Sequence, residues 1–164
     1  MHRTWPPTTG TMTGLWRKPM EYDMTRVRER IQYIESSLAR LETLRALPRE
    51  TFLDDFRNVE TAKHLLQTAI EAMMDIAGHI VARRRLPTPH EGAETFRRLG
   101  EAGLLPPERV QVYVQMVRFR NLVVHLYQEV DAERVYEILQ SGLDDLRRFI
   151  AEVWGIVSPP PRPA

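Results

Sequence analysis

The residue types best suited to chemistry lie together in one short segment. Arg120, His125 and Tyr127 fall within eight positions, and Asn121 directly follows the arginine. A histidine exchanges a proton near neutral pH, and an arginine presents a fixed fork of donors that matches a phosphate group. Together they suit attack of a ribose 2′-hydroxyl on the adjacent phosphodiester. His125 would serve as general acid or base, and Arg120 would stabilise the charge that develops on the phosphoryl group, without a metal ion.

Helical geometry limits how these side chains can meet. Each residue of a helix turns by about 100°, so His125 lies roughly 140° around the helix from Arg120, whereas Tyr127 shares the face of Arg120. The two catalytic candidates therefore do not converge on one ideal helix. Either the helix ends or bends near His125, or two copies of the segment face each other across a twofold axis. A homodimer is thus a prediction of the catalytic interpretation.

The same segment also has a purely structural interpretation. On a helix, such an arginine is commonly a salt-bridge donor, and such a histidine is commonly a capped or core residue. Asn121 could be a buried polar residue that fixes helix register. Tyr127 could bury its ring and leave its hydroxyl at the rim of the core.

Apolar periodicity predicts that helices position this segment. Steps of three and four connect Val27 to Leu41, and a seven-residue repeat connects Phe52 to Ile80, with Phe56 on a neighbouring line. The sequence therefore predicts an all-α fold, an up-and-down bundle of four main helices with one short inserted helix. The predicted helices are a first ending near Pro48, a second over about Glu50 to Val81, a short one over Ala93 to Ala102, one opened by Pro106 and Pro107, and a last capped by Asp131 and reaching Val157.

The composition bounds the remaining possibilities. The chain has 164 residues, is 43% hydrophobic and 27% charged, and contains no cysteine, which indicates one globular domain without zinc–thiolate or disulfide chemistry. A net charge of +1 argues against a broad nucleic-acid-binding surface, so affinity for RNA must be local. Without an apolar run of membrane-spanning length or a secretory signal, we expect a soluble, cytoplasmic protein that does not bind membranes.

The ends of the chain differ from its middle. Residues 1–22 are rich in proline, threonine and glycine and lack a helical period, which predicts a flexible extension. Residues 158–164 form a proline-rich tail that cannot continue a helix. The helical domain is therefore predicted to occupy residues 23–157.

Other charged residues are weaker candidates. Asp75 and His79 are spaced i,i+4 but lack a third ligand, so the sequence predicts neither a metal site nor a cofactor. Asp75 is instead a candidate to orient Arg120 from the second helix. The possible RNA contacts are Arg118, Arg83, Arg84 and Arg85, although the run of three is better interpreted as a solvated helix C-terminus.

The segment from Arg120 to Tyr127 resembles the R-x4-H-x-Y pattern of the HepT-like toxins, a branch of the HEPN superfamily. The resemblance extends from about Met24 to Val157, including the long second helix, the short insert and the sequence that follows the motif. It implies a homodimeric bundle of four to five helices with metal-independent endoribonuclease activity. Arg120 and His125 fall on the catalytic positions of the family, whereas the extension 1–22 is not part of its pattern.

The resemblance also implies a regulatory partner. In such proteins a minimal nucleotidyltransferase, the antitoxin, transfers AMP from ATP to the tyrosine of the motif, which Tyr127 matches. Anionic adenylate groups at that position would occupy Arg120 and exclude RNA. Two alternatives keep the fold without the activity. One is a helical subunit that binds nucleotide or positions a substrate for a nucleotidyltransferase, and the other is a dimeric scaffold without a site.

Overall fold

The computed structural model describes residues 21–126, 130–160 and 162–163. Within these residues all regular structure is helical, which confirms the predicted all-α fold. Of the predicted extension 1–22, only Glu21 and Tyr22 are described, and the domain boundaries remain predictions. The helices are α1 (Met24–Arg45), α2 (Arg49–Asp54), α3 (Phe56–Arg83), α4 (Gly92–Glu101), α5 (Pro107–His125), α6 (Ala132–Ser141) and α7 (Leu143–Val157).

Two of the predicted continuous helices are interrupted. Asp55 separates α2 from α3 in an extended conformation, and its carboxylate accepts a hydrogen bond from the Arg57 backbone N–H at 2.9 Å. Gly142 separates α6 from α7, where an added Cβ would lie 2.9 Å from the Ile138 carbonyl oxygen. Apolar periodicity persists across both breaks, which is why it predicted single helices. Phe56, which the sequence places on a neighbouring apolar line, directly follows the break and is 75% exposed.

The core forms around α3, which contacts α1, α4, α5 and α6. The predicted stripe of α1 is buried along its whole length, from Val27 to Leu41. Pro107 stands in the first turn of α5 as expected, and the Asp131 carboxylate caps α6 by accepting from the Arg134 backbone N–H at 2.7 Å. The predicted stripe of α1, the proline in the first turn of α5 and the Asp131 cap are therefore confirmed. Burial of each large apolar side chain contributes about 1.5–3 kcal/mol to this arrangement.

A buried polar cluster fixes α5 against α7. The Arg109 guanidinium donates to Asp145 at 2.8 Å, to Glu152 at 3.0 Å and to the Tyr113 hydroxyl at 2.9 Å. The Tyr113 hydroxyl in turn donates to Glu152 at 2.5 Å. Burial and the bond to Glu152 raise the pKa of Tyr113 above its usual range, so its hydroxyl remains a donor. The N-terminal half of the helix that carries Arg120 and His125 is therefore firmly attached to the bundle.

Candidate functional site

The predicted site lies in the last two turns of α5. The helix is continuous from Pro107 to His125, and the Leu126 N–H closes it with a bond of 2.8 Å to the Leu122 carbonyl. Because His125 is still helical, the angular separation of roughly 140° from Arg120 holds. The helix does end at His125, which was one of the two alternatives, but the end comes too late to change the angular position of His125 relative to Arg120.

The guanidinium of Arg120 is held from two sides. Its Nε donates to Glu71 Oε1 of α3 at 3.0 Å, and its Nη1 donates to Asn121 Oδ1 at 3.1 Å. Gln67 Nε2 donates to the same Glu71 oxygen at 3.1 Å and steadies that carboxylate. No acceptor among the described residues contacts Nη2. This edge of the fork remains available to an anionic ligand, while the other donors fix its orientation.

The carboxylate that orients Arg120 is Glu71, and the prediction of Asp75 for this role is wrong. Asp75 lies one turn further along α3 and instead forms an ion pair of 3.0 Å with Arg30 of α1. Both carboxylates line one groove, so helical spacing placed Asp75 on the correct face of α3. The position of α5 across that face decides which of them reaches Arg120.

This groove, hereafter the Arg120 groove, has a volume of about 530 Å³. Its two arginines are matched by its two carboxylates, so its lining carries no net charge. Tyr33, a residue that is 42% exposed, adds an aromatic ring. The residues that line it are Arg30, Tyr33, Thr68, Glu71, Ala72, Met74, Asp75 and Arg120.

The other candidates are distributed around the molecule. His125, Asn121 and Arg118 are exposed on α5, so Asn121 is not the buried residue that one interpretation required. Tyr127 lies outside the described residues.

The three arginines at the C-terminal end of α3, Arg83 to Arg85, begin about 18 Å along the helix from Glu71, which is too far to join Arg120. Of these three, Arg84 donates to the Tyr22 hydroxyl at 2.6 Å, while Arg83 and Arg85 are exposed.

His79 has a structural role in the described part of the chain. Its Nε2 accepts a hydrogen bond of 2.9 Å from the Asp23 backbone N–H, at the start of α1. Burial, with the nearby charges of Arg26 and Arg83, lowers the pKa of His79, which favours the neutral acceptor. Asp75 is paired with Arg30, so neither residue is arranged as a ligand.

The described residues offer neither a metal-binding cluster nor a membrane-spanning helix. They contain no group of three histidine, cysteine or acidic side chains that could hold a metal ion. Their helices also include none with the length and apolar content that a membrane crossing requires.

The structure thus places an arginine and a histidine five positions apart at the end of one helix of an all-α bundle. A family model described as ribonuclease HepT-like matches residues 34–153, which is most of the chain. The chain therefore belongs to the HepT-like family.

Individual relatives agree with this assignment. The mRNA nuclease HepT of Shewanella oneidensis is 32% identical over 99 residues, which cover 60% of this chain and 74% of that protein. The tRNA nuclease HepT of Aphanizomenon flos-aquae is 23% identical over 127 residues, covering 77% of this chain and 86% of that protein. The structure of a tri-AMPylated Shewanella oneidensis HEPN toxin in complex with MNT antitoxin matches with a TM-score of 0.75 and 27% identity. That match covers 79% of this chain and 97% of the matched chain.

Proposed function

We propose that the protein is the toxin of a toxin–antitoxin pair, a cytoplasmic endoribonuclease that cleaves RNA without a metal ion. The observation that carries this proposal is the Arg120 guanidinium, which Glu71 and Asn121 orient on the same helix that ends in His125. The relatives named as mRNA and tRNA nucleases support the activity, and the toxin–antitoxin complex of the Shewanella protein supports the biological role.

The proposed reaction needs a base, an acid and a stabilised phosphoryl group. One imidazole accepts the proton of the ribose 2′-hydroxyl, whose oxygen attacks the adjacent phosphorus. The bond from phosphorus to the 5′-oxygen breaks, and a second imidazole protonates that leaving oxygen. The products are a 2′,3′-cyclic phosphate and a 5′-hydroxyl. Arg120 donates hydrogen bonds to the nonbridging oxygens as negative charge builds on them.

A homodimer supplies the two imidazoles. Because Arg120 and His125 of one chain point roughly 140° apart, we place the centre on a twofold axis where both copies meet. Leu122 and Leu126 are 39% and 46% exposed beside His125, and they offer an apolar surface to a second copy. One copy of His125 then acts as base and the other as acid.

Cleavage of a single-stranded RNA by the purified protein tests this mechanism. We expect the wild type to cut with EDTA present and to leave 2′,3′-cyclic phosphate ends, detected by their resistance to phosphatase. His125→Ala removes the proton-transfer group and should lower the rate at least about 100-fold. Circular dichroism and light scattering verify that the variant is folded and dimeric. Full loss of cleavage in EDTA, or an unchanged rate in His125→Ala, would overturn the mechanism.

We further propose that a minimal nucleotidyltransferase neutralises the toxin at Tyr127. The Tyr127 phenol oxygen attacks the α-phosphorus of ATP, pyrophosphate leaves, and the phenolic proton passes to a base of the transferase. The attached adenylate is an anion, and in this proposal it competes with RNA for Arg120. The tri-AMPylated state of the Shewanella toxin supports this regulation.

Intact mass measurement tests the modification. After coexpression with its transferase, the wild type should gain one or more AMP increments and lose RNA cleavage. Tyr127→Phe, which keeps the ring and removes the nucleophile, should gain none and remain active. Neutralisation of Tyr127→Phe to the same degree as the wild type would show that the partner acts by occlusion.

A further inference from the structure

A second cleft lies on the far side of α5 from the Arg120 groove. It has a volume of about 300 Å³ and contains two arginines and two glutamines but no carboxylate among its lining residues. We name it the Arg97–Arg118 cleft. Its lining is Arg97, Val110, Gln111, Val114, Gln115 and Arg118.

The two arginines are weakly engaged by the rest of the protein. Arg118 is exposed and forms no ion pair or side-chain hydrogen bond with any described residue. Arg97 is 42% exposed, and its nearest carboxylate, Glu91, stands 3.6 Å away. By contrast, both arginines of the Arg120 groove are bound to carboxylates at 3.0 Å. An anion can therefore enter the Arg97–Arg118 cleft without displacing a close internal partner.

Close packing of α4 on α5 builds this cleft. An added Cβ at Gly100 would lie 2.6 Å from Val110 Cγ2, and one at Gly92 would lie 3.3 Å from Val117 Cγ1. The two helices therefore run antiparallel and nearly in contact at both ends of α4. This packing brings Arg97 of α4 beside Arg118 of α5 in a fixed part of the bundle.

The cleft is aligned with His125. Arg118 and His125 are seven residues apart, so they lie within about 20° of the same face of α5 and about 10 Å apart along its axis. A few nucleotides of single-stranded RNA can bridge that separation. The glutamine amides of the cleft can donate to or accept from sugar and base groups beside a bound phosphate.

We infer that the Arg97–Arg118 cleft binds a backbone phosphate of single-stranded RNA a few nucleotides from the bond that is cut. This inference rests on the proposed nuclease function and deepens it, because it assigns the path of the substrate along α5. It also explains how a chain with a net charge of +1 can bind RNA, since the charge is local. Arg97 and Arg118 contribute affinity and do not take part in the bond-breaking step.

The test compares RNA affinity across salt concentrations. Binding of a fluorescent single-stranded RNA is measured on the full-length His125→Ala dimer, which is made without transferase so that it stays unmodified. The same measurement is made on a double variant that adds Arg97→Gln and Arg118→Gln to this background. The matched control is Arg40→Gln, which removes an exposed arginine of α1 that lines neither cleft. We expect the double variant to bind about tenfold more weakly at about 0.1 M salt. Its slope of log affinity against log salt should fall by about 0.7 for each phosphate that the variant no longer neutralises.

Parallel measurements separate this inference from the function on which it rests. With His125 intact, the double variant should show a raised KM for RNA cleavage and a kcat within about twofold of the wild type. Equal affinity and salt slope in the double variant and Arg40→Gln would overturn the subsite while leaving the nuclease intact. Dissociation of the double variant to monomers would also overturn it, because the cleft would then be an interface. Absence of RNA binding and cleavage by the wild type would overturn both proposals.

Discussion

Arg120 combines a fixed orientation with a donor edge that can receive a ligand. Glu71 and Asn121 occupy one side of its guanidinium, and Gln67 holds Glu71 in place. Such preorganisation matters because stabilisation of developing charge is most effective when the donors need not move during the reaction. In the proposed mechanism Glu71 is therefore a positioning residue, although its own negative charge opposes the approach of a phosphate.

These opposite effects predict a distinctive kinetic result for Glu71→Ala. Loss of the orienting bond should lower kcat about tenfold, the scale of a hydrogen bond between charged groups. Loss of the negative charge should leave KM unchanged or lower it. Asp75→Ala is the matched control, because it removes the same charge from the same groove without touching Arg120. An unchanged kcat in Glu71→Ala, or an equal fall in Asp75→Ala, would contradict the role of Glu71.

The sequence predicted some residues of this site and missed others. Residue types and spacing were sufficient to propose Arg120 and His125 as catalytic candidates, because both lie in one short segment. Glu71 was missed because it lies 49 positions before its partner. Helical periodicity identifies the face of α3 that carries Glu71 and Asp75, but only the crossing of α3 and α5 selects between them.

At the scale of elements, the predictions succeeded along the apolar stripes and missed the two breaks within them. The apolar stripe of α1 and the first turn of α5 follow directly from the sequence. The breaks at Asp55 and Gly142 depend on a side-chain cap and on a close backbone contact, which do not alter apolar spacing. The cluster around Arg109 was likewise indistinguishable from ordinary solvated helix faces.

The start of α1 provides a prediction about pH. The bond from the Asp23 N–H requires neutral His79, and burial lowers the pKa of His79 below 6.5. At pH values between the lowered pKa of folded His79 and its ordinary value of 6.5, the unfolded chain binds more protons than the folded protein. The free energy of unfolding therefore falls as the pH decreases through this range. Above 6.5 the contribution is fully present.

Urea denaturation at about pH 8 and about pH 5.5 measures this effect. The wild type should be less stable at the lower pH. His79→Gln, whose side-chain oxygen can accept the same bond without titrating, should lose less stability over the same interval. An equal loss in both proteins would show that other groups cause the pH dependence.

At the scale of the whole molecule, the proposed dimer assigns different functions to the faces of α5. The face of Arg120 packs towards α3 and the Arg120 groove, whereas the face of His125 continues along the exterior to the Arg97–Arg118 cleft. Two copies joined near the C-terminal turn of α5 would bring each His125 towards the Arg120 of the other chain. RNA bound along the exterior face would then reach the twofold axis from the cleft.

Subunit mixing tests the shared centre most directly. Wild type and His125→Ala are unfolded together in equal amounts, refolded, and assayed for RNA cleavage, with light scattering to verify complete dimerisation. If both copies of His125 are needed, only dimers of two wild-type chains are active. Random pairing then leaves roughly a quarter of the activity of the same total amount of wild type. Roughly half of that activity or more would mean that a dimer with one His125 still cleaves RNA, and would contradict a centre that needs both copies.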